Sequence, residues 1–249
     1  MNKSYVLAGL AFLGLSAALT GCGSGDSTPQ GRLRVINALT NVPNSANIDV
    51  NANNGQGVAT NIAYGQATTS AVTVNSGAAV PIAVNQTGTT SPLITGATAN
   101  ITQGADNVVL VTGVVGQSGG LAPAIFSLSP VNLSGTPVSN QARVYFINAA
   151  PDAAQANFNY TITNPGGVPA TSTATANSLA YGSESAEQFV TIIDANSTQA
   201  LTITAGADTV NLNTALLAGS HTYAVVLTGR STASAGVPAL AAQVIRLDP

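Results

Sequence analysis

Polar and apolar residues alternate one for one along much of this chain, the period of a strand with one face in a core and one in solvent. Asn157-Phe158-Asn159-Tyr160-Thr161-Ile162-Thr163 keeps the alternation without a break. Leu201-Thr202-Ile203-Thr204, Val210-Asn211-Leu212-Asn213, Val72-Thr73-Val74 and Ile82-Ala83-Val84 follow it too. Val108-Val109-Leu110-Val111 and Ala224-Val225-Val226-Leu227 are instead apolar throughout, which predicts central strands covered on both faces. Gly, Pro, Asn and Ser clusters punctuate these runs every 8–15 residues or so, the rhythm of a sandwich or barrel. No segment beyond the N-terminal leader carries a sustained apolar stripe of helical period. Ala195–Ala200 and Leu212–Leu217 could each form a single helical turn.

The pattern also repeats at long range. Ile36-Asn37-Ala38 returns as Ile147-Asn148-Ala149, each preceded by Arg-Val at Arg34-Val35 and Arg143-Val144. Asn47-Ile48-Asp49-Val50 returns as Asn157-Phe158-Asn159-Tyr160, and Ile62-Ala63-Tyr64-Gly65 as Leu179-Ala180-Tyr181-Gly182. Val111-Thr112-Gly113 returns as Leu227-Thr228-Gly229, and Gly120-Leu121-Ala122-Pro123-Ala124 resembles Gly236-Val237-Pro238-Ala239-Leu240. The matches keep one order, at offsets of about 110–117 residues, as two copies of one unit do. The fold expected is all-β: two tandem immunoglobulin-like β-sandwich domains, each of about seven strands. The first spans residues 32–130, a linker covers 131–141, and the second spans 142–249.

The first thirty residues read differently. Lys3 precedes the apolar run Val6–Leu15, too short for the roughly 20 residues of a spanning helix, as in an export signal. Leu19-Thr20-Gly21-Cys22 resembles a bacterial lipobox, in which the cysteine thiol takes a diacylglyceryl group. The sequence therefore predicts a signal peptide over 1–21, lipidation with palmitate-type chains on Cys22, and a flexible Gly/Ser-rich tether over 22–31. Several acyl chains make such an anchor effectively permanent, so the membrane is the first expected partner. With glycine rather than aspartate at position 23, lipoprotein sorting points to the outer membrane of a two-membrane envelope.

Composition sharpens this picture. Charged residues are 6% of the chain while hydrophobic residues reach 45%, so a packed core is expected under a surface of Thr, Ser, Asn and Gln. A net charge of −3 with no basic cluster argues against nucleic acid. Cys22 is the single cysteine, so no disulfide braces the fold.

The repeated residues also carry a family resemblance. Arg143-Val144, Asn148–Ala153 with its Pro151-Asp152 turn, Leu179-Ala180-Tyr181-Gly182, and Ala218-Gly219 with Tyr223 and Gly229 resemble the domain-of-unknown-function family 4397. The first copy departs from that pattern, with Leu39–Asn44 in place of the Pro-Asp turn and Asn107 where the closing tyrosine would stand. It keeps Asp49, which becomes Asn159 in the second copy. The resemblance implies an extracytoplasmic, often lipid-anchored β-sandwich protein, and supplies no catalytic residues.

Candidate chemistry is sparse. Gly116-Gln117-Ser118-Gly119-Gly120 matches the G-x-S-x-G nucleophile pattern, which works only on a strand-to-helix elbow. The glycines and Pro123 that follow predict a hairpin instead. The single histidine, His221, lies at the start of a strand in the other copy, and no second histidine or free thiol completes a zinc site. Asp49, Asp106, Asp152, Glu184, Glu187, Asp194 and Asp208 are scattered without calcium-loop spacing, although loop-borne calcium stays open. Tyr64 and Tyr181 read as core or corner tyrosines tying a strand end, and Arg34 and Arg143 as outer-face strand residues. The reading is a noncatalytic surface protein, for structure, adhesion or assembly, needing no cofactor or metal. Its expected partners are envelope or matrix proteins or further copies of itself. Two alternatives stand beside it: a lipoprotein binding a glycan or other ligand, disfavoured by 4% aromatic content and no tryptophan, and a hydrolase using Ser118.

Overall fold

The computed structural model describes residues 28–128, 137–167, 169–193, 196–213, 217–234 and 236–248. The predicted signal peptide, Cys22 and most of the tether lie outside them, as does most of the linker. No helix among the described residues is long and apolar enough to cross a membrane.

The structure is a β-sandwich protein built from four sheets. The first half contributes β1 (Gln30–Thr40), β2 (Ile48–Ala52), β3 (Gln56–Ile62), β4 (Gln66–Ala67), β5 (Val72–Asn75), β6 (Gly77–Gln86), β7 (Pro92–Ile101), β8 (Asp106–Val114) and β9 (Ala124–Ser127). The second contributes β10 (Gln141–Asn148), β11 (Gln155–Thr163), β12 (Thr171–Ala180), β13 (Gln188–Thr191), β14 (Thr198–Ala205), β15 (Asp208–Leu212), β16 (Thr222–Thr228) and β17 (Ala241–Arg246). In the first half a sheet ordered β4-β1-β8-β9, with β5 also on β1, faces one ordered β3-β2-β6-β7. In the second, β13-β10-β16-β17 faces β12-β11-β14-β15. Residues 198–200, expected in a helical turn, open strand β14, where Thr, Gln and Ala continue the alternation into Leu201 and Ile203.

The two halves share a pairing that an all-antiparallel reading does not contain. β1 runs parallel to β8, aligning Ile36 with Leu110, and β10 runs parallel to β16, aligning Ile147 with Val226. These four strands are the ones buried on both faces. Leu33, Val35, Val109 and Val111 enter the first core, and Val144, Phe146, Val225 and Leu227 the second. Their opposite faces meet: Ile36, Ala38, Val108 and Leu110 pack against Tyr145, Ile147, Ala149, Ala224 and Val226 in a third cluster. The sheets therefore stack four deep, and the continuous apolar runs are apolar because each half covers the other. This also changes the place of the two arginines. Arg34 and Arg143 do point away from their own cores, but they are only 2% and 6% exposed because the stack closes over them. Arg34 gives Nη1 to the carbonyls of Thr68 (3.3 Å) and Thr69 (3.1 Å), while Arg143 meets Glu187 at 3.4 Å.

Candidate functional site

The repeated residues build equivalent corners, and the corners build the interface. Asn37 donates from Nδ2 to the Ile62 carbonyl (2.9 Å) and accepts the Leu39 amide on Oδ1 (3.0 Å). Asn148 repeats this on the Leu179 carbonyl (3.0 Å) and the Ala150 amide (3.2 Å), with a further bond to Ala153 (2.8 Å). The carbonyl of each asparagine then takes the amide of the glycine after the tyrosine, Gly65 and Gly182, at 2.8 Å. Held this way, Tyr64 and Tyr181 aim their hydroxyls across to the other copy. Burial pushes both phenols up, and the threonine opposite each, Thr228 for Tyr64 and Thr112 for Tyr181, offsets part of that rise. Neither buried phenol oxygen completes a hydrogen bond of ordinary geometry.

The pseudo-two-fold relation breaks at the ends. On one side Phe126 packs edge-on against Tyr181 at 5.1 Å between ring centroids, so close to Gly182 that a Cβ there would stand 2.4 Å from the ring. Ladder position makes Gln243 the counterpart of Phe126: one pairs with Leu110, the other with Val226. Gln243 covers Gly65 more loosely, and beside it lies a cleft of about 530 Å³. Leu39–Asn47, Ala63 and Tyr64 line it from the first half, Gly236 and Pro238 from the second.

Its walls are fixed by the main chain. Asn41 sits at φ 57° and is pinned by its amide to the Gly236 carbonyl (2.9 Å) and by Nδ2 to the Val115 carbonyl (2.9 Å). Asn44 and Ser45 are also left-handed, at φ 59° and 52°, a conformation uncommon for residues other than glycine. The opposite loop is anchored by the Pro-Asp turn: Asp152 accepts Arg230 Nε and the Ser231 amide, both at 3.2 Å. Asp152 thus acts through the loop that closes the cleft.

The remaining sequence candidates sit apart from this cleft. Ser118 precedes a short 3-10 turn, Gly119–Leu121, in the connection from β8 to β9. His221 precedes β16 and holds Asp248 through Nδ1 at 2.8 Å; no hydrogen bond joins it to Ser118 among the described residues. Burial opposes ionisation of Asp248, but the Thr222 amide and His221 outweigh it and hold the carboxyl below its usual range. Asp49 behaves alike: burial raises it, and the Asn61 amide (2.7 Å), Thr87 hydroxyl (2.9 Å) and Gly88 amide (3.2 Å) bring it below. Asp106 pairs with Arg32 at 2.9 Å, and Glu187 takes the Tyr145 hydroxyl at 3.0 Å. Glu184 bridges to Ile147, Asp208 turns the β14–β15 hairpin, and Asp194 lies outside the described residues. No group of three His, Cys, Asp or Glu side chains that could hold a metal occurs among the described residues.

Parallel strand pair and buried corner asparagine recur in both halves of the chain. The chain belongs to the family described as domain of unknown function (DUF4397), which matches residues 31–159. No curated protein matches the sequence. A crystal structure of a provisionally assigned cell adhesion protein from Bacteroides ovatus ATCC 8483 aligns over 87% of this chain and 96% of its own, at 10% identity and a TM-score of 0.24. At that score the likeness carries no functional argument.

Proposed function

We propose that the protein is a noncatalytic surface module of the cell envelope, held by lipid on Cys22 in the outer membrane and acting by contact in adhesion or assembly. One observation supports this above the others: the ionisable side chains are used to lock the scaffold. Asp152 with Arg230 fixes a loop, Asp248 with His221 fixes the chain end, and Asp49 clamps the turn after β6. General acid–base work needs titratable groups convergent on one substrate-sized space, and these face separate loops. Contact would pass through the polar outer faces and edges of the two outermost sheets, which Thr, Asn and Ser dominate and lysine does not guard.

Cells carrying the wild-type chain or Cys22→Ser test this. Wild type should stay in the membrane fraction, be cut by protease added to intact cells, and promote attachment of those cells to each other or to matrix. Cys22→Ser should lose all three. A chain that stays in the aqueous phase of a detergent extraction, or one shielded in intact cells, would overturn the reading.

A further inference from the structure

We propose that the cleft between the Asn41–Asn47 loop and the Gly236–Pro238 loop binds a neutral carbohydrate, one or two sugar rings at the end of a glycan. The inference goes beyond the surface-module reading and fails or survives separately from it.

Size and place come first. About 530 Å³ lies within the range of small-molecule sites, which form preferentially where two structural units meet. The corresponding tyrosine, Tyr181, is instead packed edge-on by Phe126, so the two tyrosine corners differ in what stands beside them. Preorganisation comes second. Asn41, Asn44 and Ser45 hold left-handed backbone, and strain of this kind persists where surrounding structure fixes it, often at ligand clamps. Asn41 supplies that fixing by bonding both to its own half and across to Gly236. Binding would therefore need little ordering of the wall.

Chemistry decides the class of ligand. Among the described residues no carboxylate, guanidinium, ammonium or imidazole lines the cleft, so a charged ligand would lose hydration there without an opposite charge. The Asn44 amide and Ser45 hydroxyl are exposed and engaged by no other described residue, leaving donors and acceptors for hydroxyl groups. Pro43, Pro238 and the Tyr64 ring offer apolar surface for the C–H faces of a pyranose. A flat apolar ligand would leave the amide and hydroxyl unused. An extended peptide would need an open strand edge, and this wall is irregular backbone. With one aromatic ring available, affinity should be weak, with Kd on the order of 1 mM.

Frontal chromatography of tritiated chitobiose, lactose, maltose and glucuronic acid over immobilised full-length protein tests the site. At least one neutral disaccharide should be retained saturably, and glucuronic acid should not. Ala46→Trp fills the cleft and should cut retention about tenfold or more. Asn44→Gly keeps the left-handed turn while deleting the amide, and should weaken retention several-fold with an unchanged melting temperature. If none of the three neutral disaccharides is retained saturably, the proposal is overturned. Equal retention by wild type and Asn44→Gly, or equal retention of glucuronic acid, would overturn it too.

Discussion

At the scale of single residues, the chain spends its few polar buried groups on corners. Asn107 stands where the second copy has Tyr223, and both do one job: Asn107 takes the Thr102 amide and gives Nδ2 to three carbonyls, while the Tyr223 hydroxyl takes the Ala218 amide. Asp248 ties the chain end in the same manner, and this makes stability depend on acid. Its folded pKa lies below the unfolded value, so its contribution is complete above the ordinary carboxylate range near pH 4 and is lost as pH falls through the folded value. Asp248→Asn should be less stable than wild type at pH 7, and the gap should be smaller at about pH 3, below the ordinary carboxylate range. Urea unfolding at both pH values checks this; a gap of equal size at both would show that the carboxylate is not what holds the end. Much at this scale was not legible beforehand. Tyr64 and Tyr181 announced a repeated corner, but not that each hydroxyl crosses to the other copy. Arg34 sat at an outward strand position, and only the stacking of two sheets explains its burial. The cleft draws on Asn41–Asn47 and Gly236–Pro238, far apart in sequence, and neither loop has a pattern that names the other.

At the scale of elements, alternation was a faithful guide. Phe158, Tyr160 and Ile162 alternate with exposed Asn159 and half-buried Thr161, and all three are 1% exposed or less. Phe158 stacks at 5.1 Å from Phe146 across the second core, so Phe158→Ala removes a large side chain from a closed site. The loss should be about 3–5 kcal/mol in equilibrium denaturation, against well under 1 kcal/mol for Phe189→Ala, whose ring is 45% exposed. Similar losses at the two positions would mean that the second core is not packed around Phe158. The repeated glycines, Gly113 near the end of β8 and Gly229 just after β16, were visible as a motif, and their reason is steric. At Gly113 and Gly229, φ is 103° and 83°, and a Cβ would meet the Ala122 and Ala239 carbonyl oxygens at 2.3 and 2.2 Å. The parallel β1–β8 and β10–β16 pairs were not legible, because strand periodicity is the same in either direction.

At the scale of the whole molecule, the two halves cover each other as an isologous pair does. Ile36, Ala38 and Leu110 on one side oppose Ile147, Ala149 and Val226, their repeat counterparts, on the other. Such a face is self-complementary, so either half alone would present it to water and seek a second copy. Polar links add direction: Thr112 Oγ1 donates to the Ala149 carbonyl at 2.7 Å, and the Asn41 amide to the Gly236 carbonyl. The fillings differ at the two ends of the seam, Phe126 on Tyr181 and Gln243 beside Gly65. Residues 28–128 and 137–249, produced separately, should therefore each self-associate in sedimentation runs, and should form a 1:1 complex when mixed. Val226→Asp in the second fragment places a carboxylate in the apolar seam without a partner, and should abolish the mixed complex. Were each fragment folded, monomeric and indifferent to the other, the third apolar cluster would not be holding the stack together, and the shared apolar runs in β8 and β16 would need another cause.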